Sequence, residues 1–359
     1  MSATSDPSIK KDTPGFLARY WDLLLLLLLL VAFITFFSYM VVMNHERLQT
    51  KGYDLGNYDQ AIWTTAHGDL LRFTNWQGKD DWFLYPTRLG MHVEPILFLI
   101  VPLYWLWENV RALLILQVVI VGLGSVGIWL LARWKYDAGT YAAPAGRWAA
   151  VLLAAAFLLN PGLQTILFDD FHGVALVAGF LPFALYFMLR QRYGWFAFFA
   201  ILIAMTKEEM PLLVALMGLY IVIFQGWRGE TKGGRKKALW VGGSVFCLGF
   251  TWSALAFFVI IPQFNTVGAS PYIGRYQDAL GGEDLALTAL PRMIPAALAD
   301  LFSRHSFDYM VALLKPTAFL AVFDLPLLLI GGISLLINLL SDAIKQQAVG
   351  FHYIAALVP

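Results

Sequence analysis

Charged residues in this chain fall into short clusters separated by long apolar runs. The first run, Leu23 to Met43, holds 21 residues without a charge. At about 1.5 Å per helical residue it is long enough to cross the roughly 30 Å hydrocarbon core of a bilayer. A polar segment with Lys10, Lys11 and Arg19 precedes it. The run is too long for the apolar core of a cleaved signal peptide, and no small-residue cleavage site follows. The pattern predicts a retained first helix with a cytoplasmic N-terminus, its leucine tract Leu23 to Leu30 turned toward lipid.

Further apolar runs follow at about 95–107, 112–132, 148–167, 173–189, 194–206, 210–226, 238–262, 317–340 and from 351 onward. The basic residues orient them. Arg228, Lys232, Arg235, Lys236 and Lys237, opposed only by Glu230, mark a cytoplasmic loop, because positive charge is retained on that side. Counting backwards places Arg190–Arg192 and the 133–147 loop, with Arg133, Lys135 and Arg147, inside as well. Phe168–His172 and Thr206–Glu209 then fall outside. The run at 95–107 has about 13 residues, contains Pro102 and is rich in Trp and Tyr. It is too short to span and reads as a helix in the outer interface, which also keeps the parity of crossings.

The first external loop therefore runs from about 44 to 111 and carries that interfacial helix. A second runs from about 263 to 315, with turns at Gly268, Pro271, Gly274, Gly281 and Gly282 before a helical stretch near 285–302. Beyond it, 309–341 is expected to form two short helices broken near Asp324–Pro326. The chain stops at Ala355-Ala356-Leu357-Val358-Pro359, inside what reads as the start of another apolar helix, so a truncated C-terminus is expected.

Composition agrees with this pattern: 59% of residues are hydrophobic and 14% charged. The expected fold is all-α, a polytopic transmembrane bundle in the plasma membrane, with a cytoplasmic tail at 1–20 and one membrane domain at 21–359. A net charge of +1 gives no footprint for nucleic acid. The single cysteine, Cys247, excludes an intrachain disulfide and is expected in the core. Phosphate-binding glycine loops, dinucleotide fingerprints, zinc-protease helices and serine elbows are absent, which argues against an ATP-driven pump. The carboxylates sit in loops and not midway along spans, which argues against an ion-coupled transporter.

Four polar constellations share the external face in this topology. Asp54 and Asp59 follow the first helix, with Asp54 either a general base toward a hydroxyl, or a cation ligand, or the N-cap of a helix beginning after Gly56. If 54–63 is helical, Asp59 lies on the opposite side and does not form a tight pair with Asp54; it is expected either to support Asp54 in catalysis or to play a solvated structural role. His92 and Glu94 precede Pro95 and either join a site or anchor the interfacial helix. Asp169, Asp170 and His172 suit a divalent cation, Mg²⁺ or Mn²⁺, by ligand type, with capping and solvation before Gly173 the alternative. Lys207, Glu208 and Glu209 offer an ammonium for a phosphate or form a local ion-paired turn. His45, His67 and His305 stand alone and read as surface or structural.

The order of an Asp-x-Gly-x-Tyr motif after one helix, a His-and-Pro-led interfacial helix and an acidic cluster after the third span resembles the GT-C superfamily of polyprenyl-phosphate-sugar-dependent glycosyltransferases. Asp54-x-Gly56-x-x-Asp59-Gln60-x-x-Trp63, His92-x-x-Pro95, Asn160-Pro161, Asp170-Phe171-His172, Thr206-Lys207-Glu208 and His352-Tyr353 look like an uncharacterised prokaryotic family of predicted multi-pass membrane proteins. The resemblance implies a GT-C-like cavity facing the outer leaflet, where the polyprenyl-phosphate-sugar donor would bind. It implies the catalytic carboxylate at Asp54 and a metal-site component at Asp169 and Asp170. Leu55 stands where an acidic residue often follows the catalytic aspartate in that superfamily. Sugar transfer would then be a single displacement, with the leaving polyprenyl phosphate neutralised by Lys207, Arg88 or Arg275, or by the cation. The competing expectation is a non-enzymatic transporter, flippase or lipid-binding scaffold on the same frame.

Overall fold

The computed structural model describes residues 16–74, 87–137, 143–227, 232–265, 268, 273–276, 295, 298–299 and 301–359. Among them the chain is helical, with one isolated bridge between Arg72 and Thr87 and no strand. Among the described residues four helices are long and apolar enough to cross a membrane: Arg19–Glu46, Arg111–Tyr136, Met210–Trp227 and Gly233–Gln263. A fifth forms if the bent pair Pro144–Leu158 and Pro161–Phe168 counts as one span.

Helix α1 (Phe16–Glu46) buries one stripe, Leu26, Leu30, Phe33, Phe37 and Val41, against the bundle. The three-and-four spacing puts these residues on one face. Leu24, Leu27 and Leu28 point outward, so the leucine tract meets lipid on only part of its circumference. The short α2 (Gly52–Ala66) packs on α3 (Ile96–Leu106). With 11 residues α3 is about 16 Å long, too short to span, and its end exposes Trp105, Leu106 and Trp107.

At the centre is α4 (Arg111–Asp137), packed on α1, on α5 (Ala143–Leu158) and on α7 (Val177–Leu189). Small residues let α4 and α7 approach. A Cβ on Gly179 of α7 would collide with the Ile120 carbonyl, and one on Gly124 would lie 2.7 Å from the Ala178 carbonyl oxygen. The expected span at 148–167 is broken at Asn160–Pro161. The Asn160 side chain accepts from Gly162 N at 2.9 Å, capping α6 (Pro161–Phe168), whose axis turns by 40° from α5.

Helices α7 and α8 (Tyr193–Ala204) have 13 and 12 residues. In the turn after α8, Thr206, Lys207 and Glu208 are buried in protein, and Lys207 makes the local ion pair with Glu209 that the sequence offered as one alternative. Helix α9 (Met210–Tyr220) continues through a π-helical stretch, Ile221–Trp227. It packs on α10 (Lys232–Leu255), which is prolonged by π-helical turns at Ala256–Ile260. Cys247 is exposed on α10 and not in the core, because the buried side of that helix is carried by Gly242, Gly249 and Ser253. The helix expected near 285–302 lies largely outside the described residues. After α11 (Arg304–Leu314) come short turns with Ala318 and Phe319 at positive φ, then α12 (Leu325–Leu339). The break near Asp324–Pro326 is present, widened to ten residues from Lys315 to Asp324.

Charge divides the bundle into two ends. Asp22 pairs with Arg147 at 2.9 Å and Arg133 at 3.5 Å, Arg190 lies over Trp134, and Lys237 lies over Tyr193. The four polar constellations gather at the other end.

Candidate functional site

Helix α2 sets the site because its two faces carry different acids. It begins at Gly52, five residues before the expected start at Asn57, so Asp54 sits in its first turn and not at the cap. The cap residue is Lys51. Asp54 lines a cavity of about 80 Å³ with Tyr53, Asn57, Arg88, His172 and His352. Asp59 faces the other way: it accepts from Tyr104 Oη at 2.5 Å and lines a separate surface cleft of about 360 Å³ with Trp63, Glu108 and Arg111. The two acids do not share a site.

The wall opposite α2 is ionic and buried. Glu94 accepts from Arg88 Nε at 2.5 Å and from Tyr58 Oη at 2.6 Å, and the Arg88 guanidinium lies 3.6 Å from the centre of the Tyr58 ring. Both Glu94 oxygens are thereby engaged, and Arg88 borders the cavity. Glu208 accepts from Val93 N at 3.1 Å and holds His92 Nδ1 at 2.7 Å. Burial pushes the His92 and His172 imidazoles well below their ordinary pKa, so both are neutral near pH 7. Lys207 pairs with Glu209 at 2.6 Å. Burial works against its charge, but the Glu209 and Glu208 carboxylates outweigh that and hold the ammonium protonated.

His92, Lys207 and Arg275 also border a second cavity, of about 220 Å³, whose remaining wall includes Leu212, Phe257, Phe258 and Ile337. Phe257 and Phe258 come from the π-helical turns that prolong α10, and Phe258 is exposed at the outer surface of the bundle. A small polar cavity and a larger, mainly apolar one thus meet at His92, Lys207 and Arg275, with Glu208 and Glu209 on the wall of the larger one beside Lys207.

The third group sits between α6 and α7. Gln117 of α4 donates to the Asp170 carbonyl at 2.8 Å and accepts from His172 N at 2.9 Å, holding the loop in shape. Asp170 adopts φ +62°, so the adjacent aspartates diverge. Asp169 accepts from Lys51 Nζ at 2.5 Å on one oxygen, and from His352 Nδ1 at 2.7 Å and His352 N at 3.0 Å on the other. Burial would raise its pKa, but the hydrogen bonds from His352 and Lys51 more than reverse that and keep it ionised. Asp170 accepts from Lys51 N at 2.8 Å. The His172 and His352 rings stack, with centroids 3.6 Å apart and planes 19° from parallel.

Residues 44–359 match the family described as "Predicted membrane protein (DUF2079)". The chain belongs to this family. No curated protein and no solved structure matches it.

Within this DUF2079 chain, Asp54, Arg88, His92, His172, Lys207 and Arg275 share the cavity, whereas Glu94 and Glu208 support neighbours and Asp59 lies apart. The expected metal group of Asp169, Asp170 and His172 is replaced by Asp169, His172 and His352, whose donor atoms lie within 4.8 Å of one another. That donor set does not fit Mg²⁺, which takes oxygen ligands in an octahedron. Both Asp169 oxygens are engaged, one by Lys51 and the other by His352. Lys51, Tyr58 and Gln117 complete the site with no local signal of their own, and His352-Tyr353 is visible in the sequence only as a motif match. Nothing near Lys51 points 118 residues ahead to Asp169.

Proposed function

We propose that this protein transfers a sugar from a polyprenyl-phosphate-linked donor to an acceptor hydroxyl, on the extracytoplasmic side of the membrane. The observation that carries this reading is the meeting of the two cavities at Lys207 and Arg275. An amphiphile with an anionic link between sugar and isoprenoid matches that shape: tail beside Phe257, Phe258 and Ile337, phosphate at the cations, sugar toward Asp54.

In this mechanism Asp54 orients the acceptor hydroxyl and takes its proton as the oxygen attacks the anomeric carbon. The bond from that carbon to the phosphate oxygen breaks, and the polyprenyl phosphate leaves with its negative charge facing Lys207 and Arg275. The buried ammonium is held in place by Glu209, so it need not reorganise as charge develops. A lipid phosphate as leaving group also accounts for a transferase without a nucleotide-binding glycine loop.

The test uses the purified full chain with a panel of undecaprenyl-phosphate hexoses, pentoses and aminosugars. Wild type is expected to release undecaprenyl phosphate in the presence of a cell-envelope extract as acceptor source. Asp54→Asn is expected to lose at least about 100-fold in rate, the usual scale for a general base, while retaining undecaprenyl phosphate binding. Full activity in Asp54→Asn removes that residue from the mechanism. Lipid binding without turnover of any donor would favour the scaffold.

A further inference from the structure

The acidic motif between α6 and α7 is where the resemblance would put a divalent cation, and the geometry there raises the question of which positive charge serves it. Lys51 caps α2 and touches both aspartates: its ammonium meets Asp169 Oδ1 at 2.5 Å and its backbone N–H meets Asp170 Oδ2 at 2.8 Å. The ammonium also lies 5.2 Å from the centre of the Phe351 ring, next to His352. Asp169 Oδ2 is closed off by two donors from His352.

The geometry points to Lys51 as a built-in cation that stands where a divalent metal would otherwise bind Asp169. The ion pair joins three pieces far apart in sequence: the first turn of α2 with Asp54, the α6–α7 loop, and the segment at Phe351–His352. Lys51 is therefore a positioning residue. It holds the N-terminus of α2 against the loop and so fixes Asp54 at the cavity wall, three residues on. An ammonium on a chain does this without metal occupancy having to track cation supply. The consequence for chemistry rests on the transferase reading: transfer proceeds in the presence of EDTA. The binding claim does not rest on it.

Removing the ammonium opens Asp169 Oδ1 in a cluster that has two imidazoles within reach, one of them His172 with a buried Nδ1 lacking a hydrogen-bond partner. A borderline cation such as Mn²⁺ or Zn²⁺ suits a carboxylate-and-imidazole set. The experiment measures metal content and thermal unfolding of the tag-free full chain in detergent. Wild type should carry no stoichiometric divalent metal, and its Tm should not move with EDTA, Mn²⁺ or Zn²⁺. Lys51→Ala should lower Tm, and Mn²⁺ or Zn²⁺ should recover at least half of the loss. Adding Asp169→Asn to Lys51→Ala should abolish the recovery, and Lys51→Arg should keep wild-type behaviour. About one equivalent of metal in wild type, a Tm lowered by EDTA, or a Lys51→Ala chain that neither cation restabilises would overturn the assignment. None of these readouts needs a substrate, so their failure is distinct from failure of the transferase reading.

Discussion

Asp170 is a carboxylate in a place that suits its amide better. It sits at φ +62°, a region in which Asn is enriched among residues with a side chain, and it is buried. Burial raises its pKa, the Lys51 N–H and ammonium pull it back, and the charges of Asp169 and Asp54 raise it again, to about 6. The unfolded value lies near 4, so the folded protein binds the extra proton between the two. The associated stability is present in full below about pH 4 and lost as pH rises through 6. Asp170→Asn keeps an oxygen for the Lys51 N–H and never charges. After a discount for solvent screening at the cavity, it should raise stability by about 1–2 kcal/mol at pH 7.5 and leave it unchanged at pH 4, read as Tm in detergent at the two pH values. A gain that is the same at both would remove ionisation as its cause.

Among the helices, the crossing of α4 and α7 is the contact that aims the site, because α7 begins one short turn after the Asp169–His172 loop. Gly179 meets the Ile120 backbone with no room for a methyl, and Gly124 meets Ala178 on the same seam. Gly179→Ala should push α7 off α4 and destabilise by about 1–3 kcal/mol, the usual range for overpacking. Gly243 on α10 has nothing within 4 Å of a Cβ placed there. Gly243→Ala should be neutral or stabilising by up to about 1 kcal/mol, through helix propensity. Equal effects of the two substitutions on Tm would mean that the α4–α7 approach does not set stability.

Across the whole molecule, Arg133, Arg147, Arg190 and Lys237 gather at the end away from both cavities, and the positive-inside rule predicts that end in the cytoplasm. Leu48, at 89% exposure, lies beside the cavity end, and Arg235 is exposed at the basic end. In a Cys247→Ser background, an impermeant maleimide applied to intact cells should label Leu48→Cys and leave Arg235→Cys unlabelled until the membrane is opened. Labelling of both from outside would overturn the orientation. The exposed belt of Leu, Phe and Trp along α1 and α10, including Leu28, Phe36, Trp240 and Phe250, is the surface left for lipid.

Hydropathy acts over local windows, so the helical class, the leading spans, the short α3 and the break before α12 could be read from residues alone. Motif chemistry likewise pointed to Asp54, His92, His172 and Lys207, which line one cavity. Even the separation of Asp59 from Asp54 followed from helical period, because both lie on one element. Contacts between distant segments were not legible in this way. Lys51 reaches Asp169 across 118 residues and His352 reaches it across 183. Nothing local in the turn after α8 says that Thr206, Lys207 and Glu208 lie inside the protein. Local pattern says which side of its own helix a residue occupies. Which partner waits there is decided by how helices cross and where α5 and α6 bend, and those depend on packing of the whole bundle.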